Sequence, residues 1–235
     1  MMREVHSLQP RYTRFRTRRR GWNSNTEQAV LLEELMQSLK LDLSMSPPSD
    51  LRTLFSCSLD DVWLEIGFGN GEHTIELLKQ HPRIGLIGVE PFLPGIFRLA
   101  LMAHREGVCD RIRLYEGDGA VLLRWLPCSV VGRIYLLYPD PWPKRRHWKR
   151  RFVSRDTLDL IARALTEGAE FRFASDWGPY VNWTLAHLLS CPSLQWTASA
   201  HCDWETPWED WPGTRYERKA MLLGRMPSYV VARRV

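Results

Sequence analysis

Residues 138–151 read YPDPWPKRRHWKRR. An acid, Asp140, stands between two prolines at the end of an apolar run, GRIYLLY (132–138), with Trp142 beside it. Lys144, Arg145, Arg146, Lys149, Arg150 and Arg151 follow, with His147 and Trp148 set among them. A carboxylate at the mouth of a buried strand is where open α/β sheets place their chemistry. Cations interleaved with aromatics make a nucleic-acid surface. The spacing predicts a carboxylate that acts on a polyanion. A second group is the glycine turn Glu65-Ile66-Gly67-Phe68-Gly69-Asn70-Gly71, with Glu90 standing 19 residues past Gly71. Its spacing is GxGxG, not the GxGxxG dinucleotide fingerprint.

These residues need a scaffold that brings strand ends together. From residue 60 the chain alternates: strands over 61–69, 84–90, 111–118, 132–138 and 170–176, with helices over 72–81, 94–107, 120–126, 154–168 and 180–190 between and after them. Two further strands are expected over 194–200 and 227–234, with the C-terminal strand antiparallel. Alternation of this kind means a mostly parallel sheet with right-handed crossovers, doubly wound and Rossmann-like. Glu65, Glu90, Asp118, Asp140 and Asp176 fall at or near the ends of five such strands and should line one crevice. Ahead of this domain (60–235), residues 1–59 read as a basic arm (1–24), a helix over 26–41 capped by Thr26, and a proline-marked linker (44–50).

The 235 residues carry a net charge of +5, a pI near 9.1 and a mean hydropathy of −0.32, the profile of a soluble single domain with appendages. No apolar run reaches the roughly 20 residues that cross a bilayer, and no secretory signal is apparent. Residues 11–20 and 144–151 each hold six Lys or Arg and no acid, which suits phosphate partners. The five cysteines form no CxxC and the seven histidines no HxxxH or HxH, so neither a metal nor a disulfide framework is expected. Reduced thiols and an RNA rationale for the arm favour the cytoplasm, although an Arg-rich N-terminus also has the composition of a transit peptide.

Glu90 is placed to accept both hydroxyls of an adenosine ribose, Asp118 to accept from an adenine amine, and Glu65 to meet a cationic amino-acid end. A pyrophosphate would be repelled by such acids. S-adenosylmethionine carries a ribose, a sulfonium and an ammonium without phosphate, and the pattern resembles the class I methyltransferases. The segments EIGFGNGEH (65–73), GVEPFLPG (88–95), YPDPWPKRRHWKRR, FASDWGPY (173–180) and TRYERKA (214–220) narrow the match. In this order they resemble the bacterial tRNA (guanine-N7-)-methyltransferases, from about residue 60 to the C-terminus. The resemblance implies methyl transfer from S-adenosylmethionine, leaving S-adenosylhomocysteine, to N7 of a guanine at position 46 in the variable loop of tRNA. It implies cofactor contacts from Glu65, Gly67, Gly69, Glu90, Asp118 and Asp140, with Asp140 also catalytic. It implies substrate contacts from Lys144, Asp176, Thr214, Arg215 and Glu217. Arg146, His147, Trp148, Lys149, Arg150 and Arg151 would hold RNA. No obligatory protein partner is implied. Trp148 stands where many relatives have a polar residue, and Tyr216 where others often have phenylalanine.

Guanine N7 has an in-plane lone pair and no proton, so a general base is not strictly needed. A carboxylate such as Asp140 can accept from guanine N1–H and N2–H and stabilise the positive charge that arrives with the methyl. Several residues read two ways. Thr214-x-x-Glu217 also has capping-box spacing, Asp176 is placed to cap the helix near Tyr180, and the loop DWETPWEDWP (203–212) reads either as a stacking surface or as a wall on the domain. The alternatives are a class I methyltransferase acting on another RNA, a protein or a small molecule, and a binding protein with an inactive methyltransferase fold.

Overall fold

The computed structural model describes residues 26–235, and the basic arm expected over 1–24 and the Thr26 side chain lie outside the described residues. The elements are α1 (Thr26–Leu39), β1 (Asp61–Ile66), α2 (Glu72–Gln80), β2 (Ile84–Glu90), α3 (Leu93–Arg105), β3 (Ile112–Glu116), α4 (Gly119–Trp125), β4 (Val131–Leu137), α5 (Arg155–Ala164), β5 (Leu165–Ser175), α6 (Gly178–Leu189), β6 (Leu194–Trp196), α7 (Arg215–Leu222) and β7 (Ser228–Arg234). They form a seven-stranded sheet in the order β3-β2-β1-β4-β5-β7-β6. Among the described strands only β7 runs against the rest, pairing antiparallel with β5 on one side and β6 on the other. The strand order reverses between β1 and β4, which opens a crevice at their C-terminal ends. No helix among the described residues is long and apolar enough to cross a membrane.

Period-two alternation divides the core between the two faces of the sheet. Val62, Leu64 and Ile66 of β1, Ile134 and Leu136 of β4, and Phe171 and Phe173 of β5 join one apolar cluster with α4, α5 and α6. Trp63, Tyr135, Leu137 and Ala174 face the other way, toward α1, α2 and α3. Leu32, Leu35 and Leu39 of α1 are buried there, and Leu41 N donates to Leu114 O at 2.8 Å, so the segment before the sheet is part of the same core.

Two boundaries differ most from expectation. The helix expected over 154–168 ends at Ala164, and β5 starts at once with Leu165 opposite Val131. The register then jumps to Arg133 opposite Glu170, so residues 166–169 bulge out, with Gly168 in the left-handed region at φ 77°. The strand expected over 194–200 pairs only from Leu194 to Trp196; Thr197 N–H adds one last bond to Val231 O at 3.0 Å before the chain leaves β7 for a 3₁₀ turn over His201–Trp204. Both departures are pairing decisions, which helical or strand periodicity does not report.

The second face would leave β4, β5 and β7 bare, since α1–α3 cover the β3-β2-β1 half. Loop 203–212 covers it. Trp208 packs on Tyr135 (6.1 Å between centroids) and Tyr229 (5.9 Å), and Trp211 on His73 (5.3 Å) and Tyr229 (5.7 Å). This is the wall reading of that loop. Its acid Asp210 faces two arginines that point from the sheet into this layer: Arg172 at 2.5 Å and Arg133 at 2.9 Å, with His81 at 3.1 Å. Arg172 lies over the Trp208 ring and Arg133 over Trp63. Burial pushes the Asp210 carboxyl up, but the hydrogen bond and charge of Arg172, with Arg133 and His81, outweigh this and hold it below its ordinary value of 3.8.

Asp210→Ala should therefore cost about 1–3 kcal/mol in denaturant unfolding at neutral pH, because it leaves the half-buried Arg133 without a carboxylate and the buried Arg172 with Glu170 alone. A carboxyl whose folded pKa is depressed stabilises above the unfolded value and loses that contribution below it. The gap between wild type and variant should close as the pH falls below 3.8. A gap independent of pH would show that packing, not charge, holds the loop.

Candidate active site

The site is built around the turn that leaves β1. Gly67, Gly69 and Gly71 all lie in the left-handed region, at φ 74°, 61° and 87°, which only glycine adopts without strain. The turn brings its backbone up to α3: a Cβ on Gly95 would sit 2.1 Å from Gly69 O. Gly95 thus completes a cradle that sequence reading assigned only to the three glycines of the turn. Glu90, at the end of β2, closes the cradle from the side. Its Oε2 accepts from Gly69 N–H at 3.0 Å and its Oε1 from Phe92 N–H at 2.9 Å. Burial pushes its carboxyl above the ordinary carboxylate range against these two bonds, and the charges of Asp140 and Glu65 add to the rise. Glu65 and Glu90 therefore share one poorly solvated space, and the exposed Asp140 is near enough for its charge to be felt there.

Glu65 is nearly inaccessible. It belongs to the α1–α3 face of β1, so its Oε1 meets His73 Nδ1 at 3.0 Å and its Oε2 accepts from the Thr74 hydroxyl at 2.6 Å. His73 and Thr74, in the first turn of α2, are a support that spacing alone did not single out. Asp118 caps α4: its Oδ1 accepts from Ala120 N–H at 2.7 Å. The cap uses one carboxylate oxygen and leaves the second free of it.

Asp140 is exposed and makes no hydrogen bond or ion pair among the described residues. The backbone around it is unusual. Tyr138 and Trp142, bulky residues on either side of the Pro-Asp-Pro, both lie in the left-handed region, at φ 48° and 43°. Such conformations cost about 1–3 kcal/mol each and persist only where surrounding contacts impose them. Here Tyr138 N–H donates to Ala174 O at 2.7 Å, and Arg150 lies over the Trp142 ring.

The basic stretch folds as a 3₁₀ turn over Arg145–Arg150. Lys144, Arg145, Arg146, Lys149 and Arg150 are exposed on it. His147 is kept below its ordinary pKa by desolvation and then by Arg150, Arg146 and Lys144, so it adds a ring rather than a charge. Arg151 departs from the expected RNA-holding set. It is only 5% accessible. Its Nε donates to Pro141 O at 3.0 Å, and its guanidinium lies within about 5 Å of the Trp148, Tyr180 and Trp183 ring centroids. Arg151 braces the Pro-Asp-Pro loop against α6. Trp148 is drawn into the same packing, edge-on to Trp183, so it serves that brace rather than presenting an open stacking face.

α7 stands over the far side of the cradle. Thr214 Oγ1 accepts from Glu217 N–H at 3.0 Å and Glu217 Oε2 from Thr214 N–H at 3.2 Å, a complete capping box. Glu217 is buried, and its Oε1 also accepts from Trp211 Nε1–H at 2.8 Å and from the Tyr229 hydroxyl. The cap reading of this pair is observed, and it leaves the Thr214 hydroxyl proton and the exposed Arg215 side chain available to a ligand. Asp176 does not cap α6, whose first residues follow Trp177. It pairs with Arg225 at 3.1 Å, from the segment after α7.

A family model described as a putative methyltransferase matches residues 60–228. A tRNA (guanine-N(7)-)-methyltransferase of Chelativorans sp. (strain BNC1) is 49% identical over 218 residues, 93% of this chain and 94% of that protein. One of Rhizobium meliloti (strain 1021) is 48% identical over 92% of this chain and 93% of its own length. Among solved structures, a 16S rRNA methyltransferase superposes with a TM-score of 0.57 at 16% identity, covering 81% of this chain and 95% of that one, a likeness of fold.

The division of the basic stretch is testable. Lys149→Ala should leave the melting temperature unchanged and reduce the salt slope of RNA affinity by about one. Arg151→Met removes both the charge and the planar stack and keeps only an apolar stem. It should lower stability by about 1–2 kcal/mol and leave the salt slope intact. Equal effects of the two substitutions on the slope would return Arg151 to the RNA surface.

Proposed function

The chain belongs to the tRNA (guanine-N7-)-methyltransferase family, and from that premise we propose how its site methylates N7 of the guanine at position 46 in the variable loop of tRNA. The observation that carries the reading is the unpaired Asp140 carboxylate at the end of β4, beside the glycine cradle and at the root of a cationic turn. S-adenosylmethionine, when bound, supplies a methyl on a sulfonium centre. The residues fit that molecule: two buried carboxylates, Glu65 and Glu90, lie within reach of the charge of the exposed Asp140, an arrangement that hydroxyl donors and positive charge would relieve and a phosphate would not.

The residues divide the work. Glu90 keeps lone pairs beyond its two backbone bonds and would accept the ribose hydroxyls, while Gly67 and Gly69 keep the backbone out of the way. The free oxygen of Asp118 would accept from the adenine amine. Glu65, oriented by His73 and Thr74, would offer its remaining lone pairs to the ammonium end. Asp140 would accept from guanine N1–H and N2–H, which selects guanine over adenine and sets a negative charge against the base as it becomes cationic. Lys144, Arg146, Lys149 and Arg150 would hold phosphates, with Lys144 nearest the base. Asp176, Thr214 and Arg215 would meet the nucleotide, and Glu217 would act by fixing α7. Most of the rate comes from alignment, because N7 needs no deprotonation. The free thiols suit the cytoplasm, where we place the reaction.

Labelled S-adenosylmethionine with unmodified tRNA should yield 7-methylguanosine, detected by mass spectrometry, and none when the variable-loop guanine is replaced. A different methylated nucleoside would move the target and keep the fold. Asp140→Ala should lower kcat at least 100-fold with tRNA affinity nearly intact; a large affinity loss would sink its role. Cofactor binding needs Glu90 ionised as an acceptor, and its free-state pKa is raised. Affinity by calorimetry should therefore fall as the pH drops through that raised pKa, with proton release on binding in that range.

A further inference from the structure

Tyr216 is half exposed, at 51% accessibility, on the first turn of α7. One side of its ring faces Tyr138: the centroids are 6.4 Å apart and the planes within 19° of parallel. Its Cε2 is 3.8 Å from where a Cβ on Gly69 would be, so it stands directly over the cofactor cradle. A cation already lies near this ring, the Arg215 guanidinium at 5.6 Å from its centroid. Both supports are stiff. Tyr138 is locked in a left-handed conformation two residues before Asp140, and α7 is pinned through Glu217 to Trp211 and Tyr229.

We propose that Tyr216, backed by Tyr138, is the platform on which the target guanine stacks while its N7 faces the methyl donor. The inference rests on the N7 reading above and adds a residue to it. The N7 lone pair lies in the plane of the base, so in-line attack requires the base plane, and not merely its edge, to be held. Asp140 grips the edge; a ring face fixes the plane. The bond from N7 to the methyl carbon forms as the carbon–sulfur bond breaks, and positive charge passes from the sulfonium to the base. An aromatic face attracts a cationic base more than a neutral one, so the platform favours the transition state over the bound substrate.

The test compares wild type, Tyr216→Phe and Tyr216→Leu on the same tRNA, with cofactor affinity measured by calorimetry. A second readout is the fluorescence of 2-aminopurine placed at the methylated position, which stacking quenches. Tyr216→Leu should lose about 10- to 100-fold in kcat and relieve the quenching, with tRNA and cofactor affinities within about threefold. Tyr216→Phe should stay within about threefold of wild type throughout. Wild-type turnover by the Leu variant would overturn the proposal. So would a Phe variant as slow as Leu, since the hydroxyl would then be the active part. Cofactor affinity falling in step with kcat would also overturn it, making Tyr216 a cofactor lid. A wild-type protein that makes no 7-methylguanosine would instead overturn the underlying reading, before any variant is compared.

Discussion

A carboxylate on a loop, Asp210, ties half of one sheet face to the segment that covers it. β4 and β5 each send an arginine, Arg133 and Arg172, into a layer otherwise filled by Trp63, Tyr135, Trp208 and Tyr229. Unpaired guanidinium groups there would be costly, and aromatic faces alone do not neutralise them. Asp210 meets both, and the loop that carries it lays Trp208 and Trp211 over the bare strands. The consequence runs on to the site. Trp211 donates to Glu217, Glu217 closes the box that starts α7, and α7 sets Tyr216 over Gly69. The cradle on the β1 side and the roof on the β7 side are thus held in register through a layer remote from both.

Around the crevice the charges are sorted by depth. Acids lie inside, on strand ends where the backbone already needs acceptors: Glu90 ties down the glycine turn, Asp118 caps α4, and Glu65 takes His73 and Thr74. Cations lie outside, on a 3₁₀ turn whose one buried arginine anchors it. Such a gradient draws a polyanion to the rim and keeps its phosphates from the floor, where a cationic sulfonium is favoured. Asp140 stands at the boundary, unpaired, held by two aromatic residues in conformations that only packing sustains. The strand-end acids thus shape the backbone, and in the proposed function the same acids meet the ligand.

Much of this was legible residue by residue. The alternation of apolar strands and capped helices announced the parallel sheet, because burial on both faces leaves continuous apolar runs such as LIGVE and IYLL. The GxGxG turn, the acids at strand ends and the PDPW segment marked the crevice, because strand ends in such a sheet converge whatever else the chain does. Thr214-x-x-Glu217 showed its cap spacing openly. Less visible were features that depend on a partner far along the chain. Arg151 is one more cation in a run of six until Tyr180 and Trp183 of α6 arrive beside it. Gly95 reads as a helix residue until Gly69 O comes within reach. Nothing around Asp210 says that its counter-charges lie 38 and 77 residues earlier.

The sequence by itself determined the fold class, the order of the strands' chemistry and the cast of the site, since period, glycine and charge are local signals tied to backbone geometry. Tertiary structure decided which of those residues are left exposed and which hold the others. The aromatic loop became a wall, Arg151 a brace, Glu217 an anchor and Asp176 the partner of Arg225. The physical reason is that a charged or aromatic side chain has the same chemistry whether buried or exposed. Its role follows from what desolvates it and what neutralises it, and those neighbours are supplied by chain segments that only the packed sheet brings together.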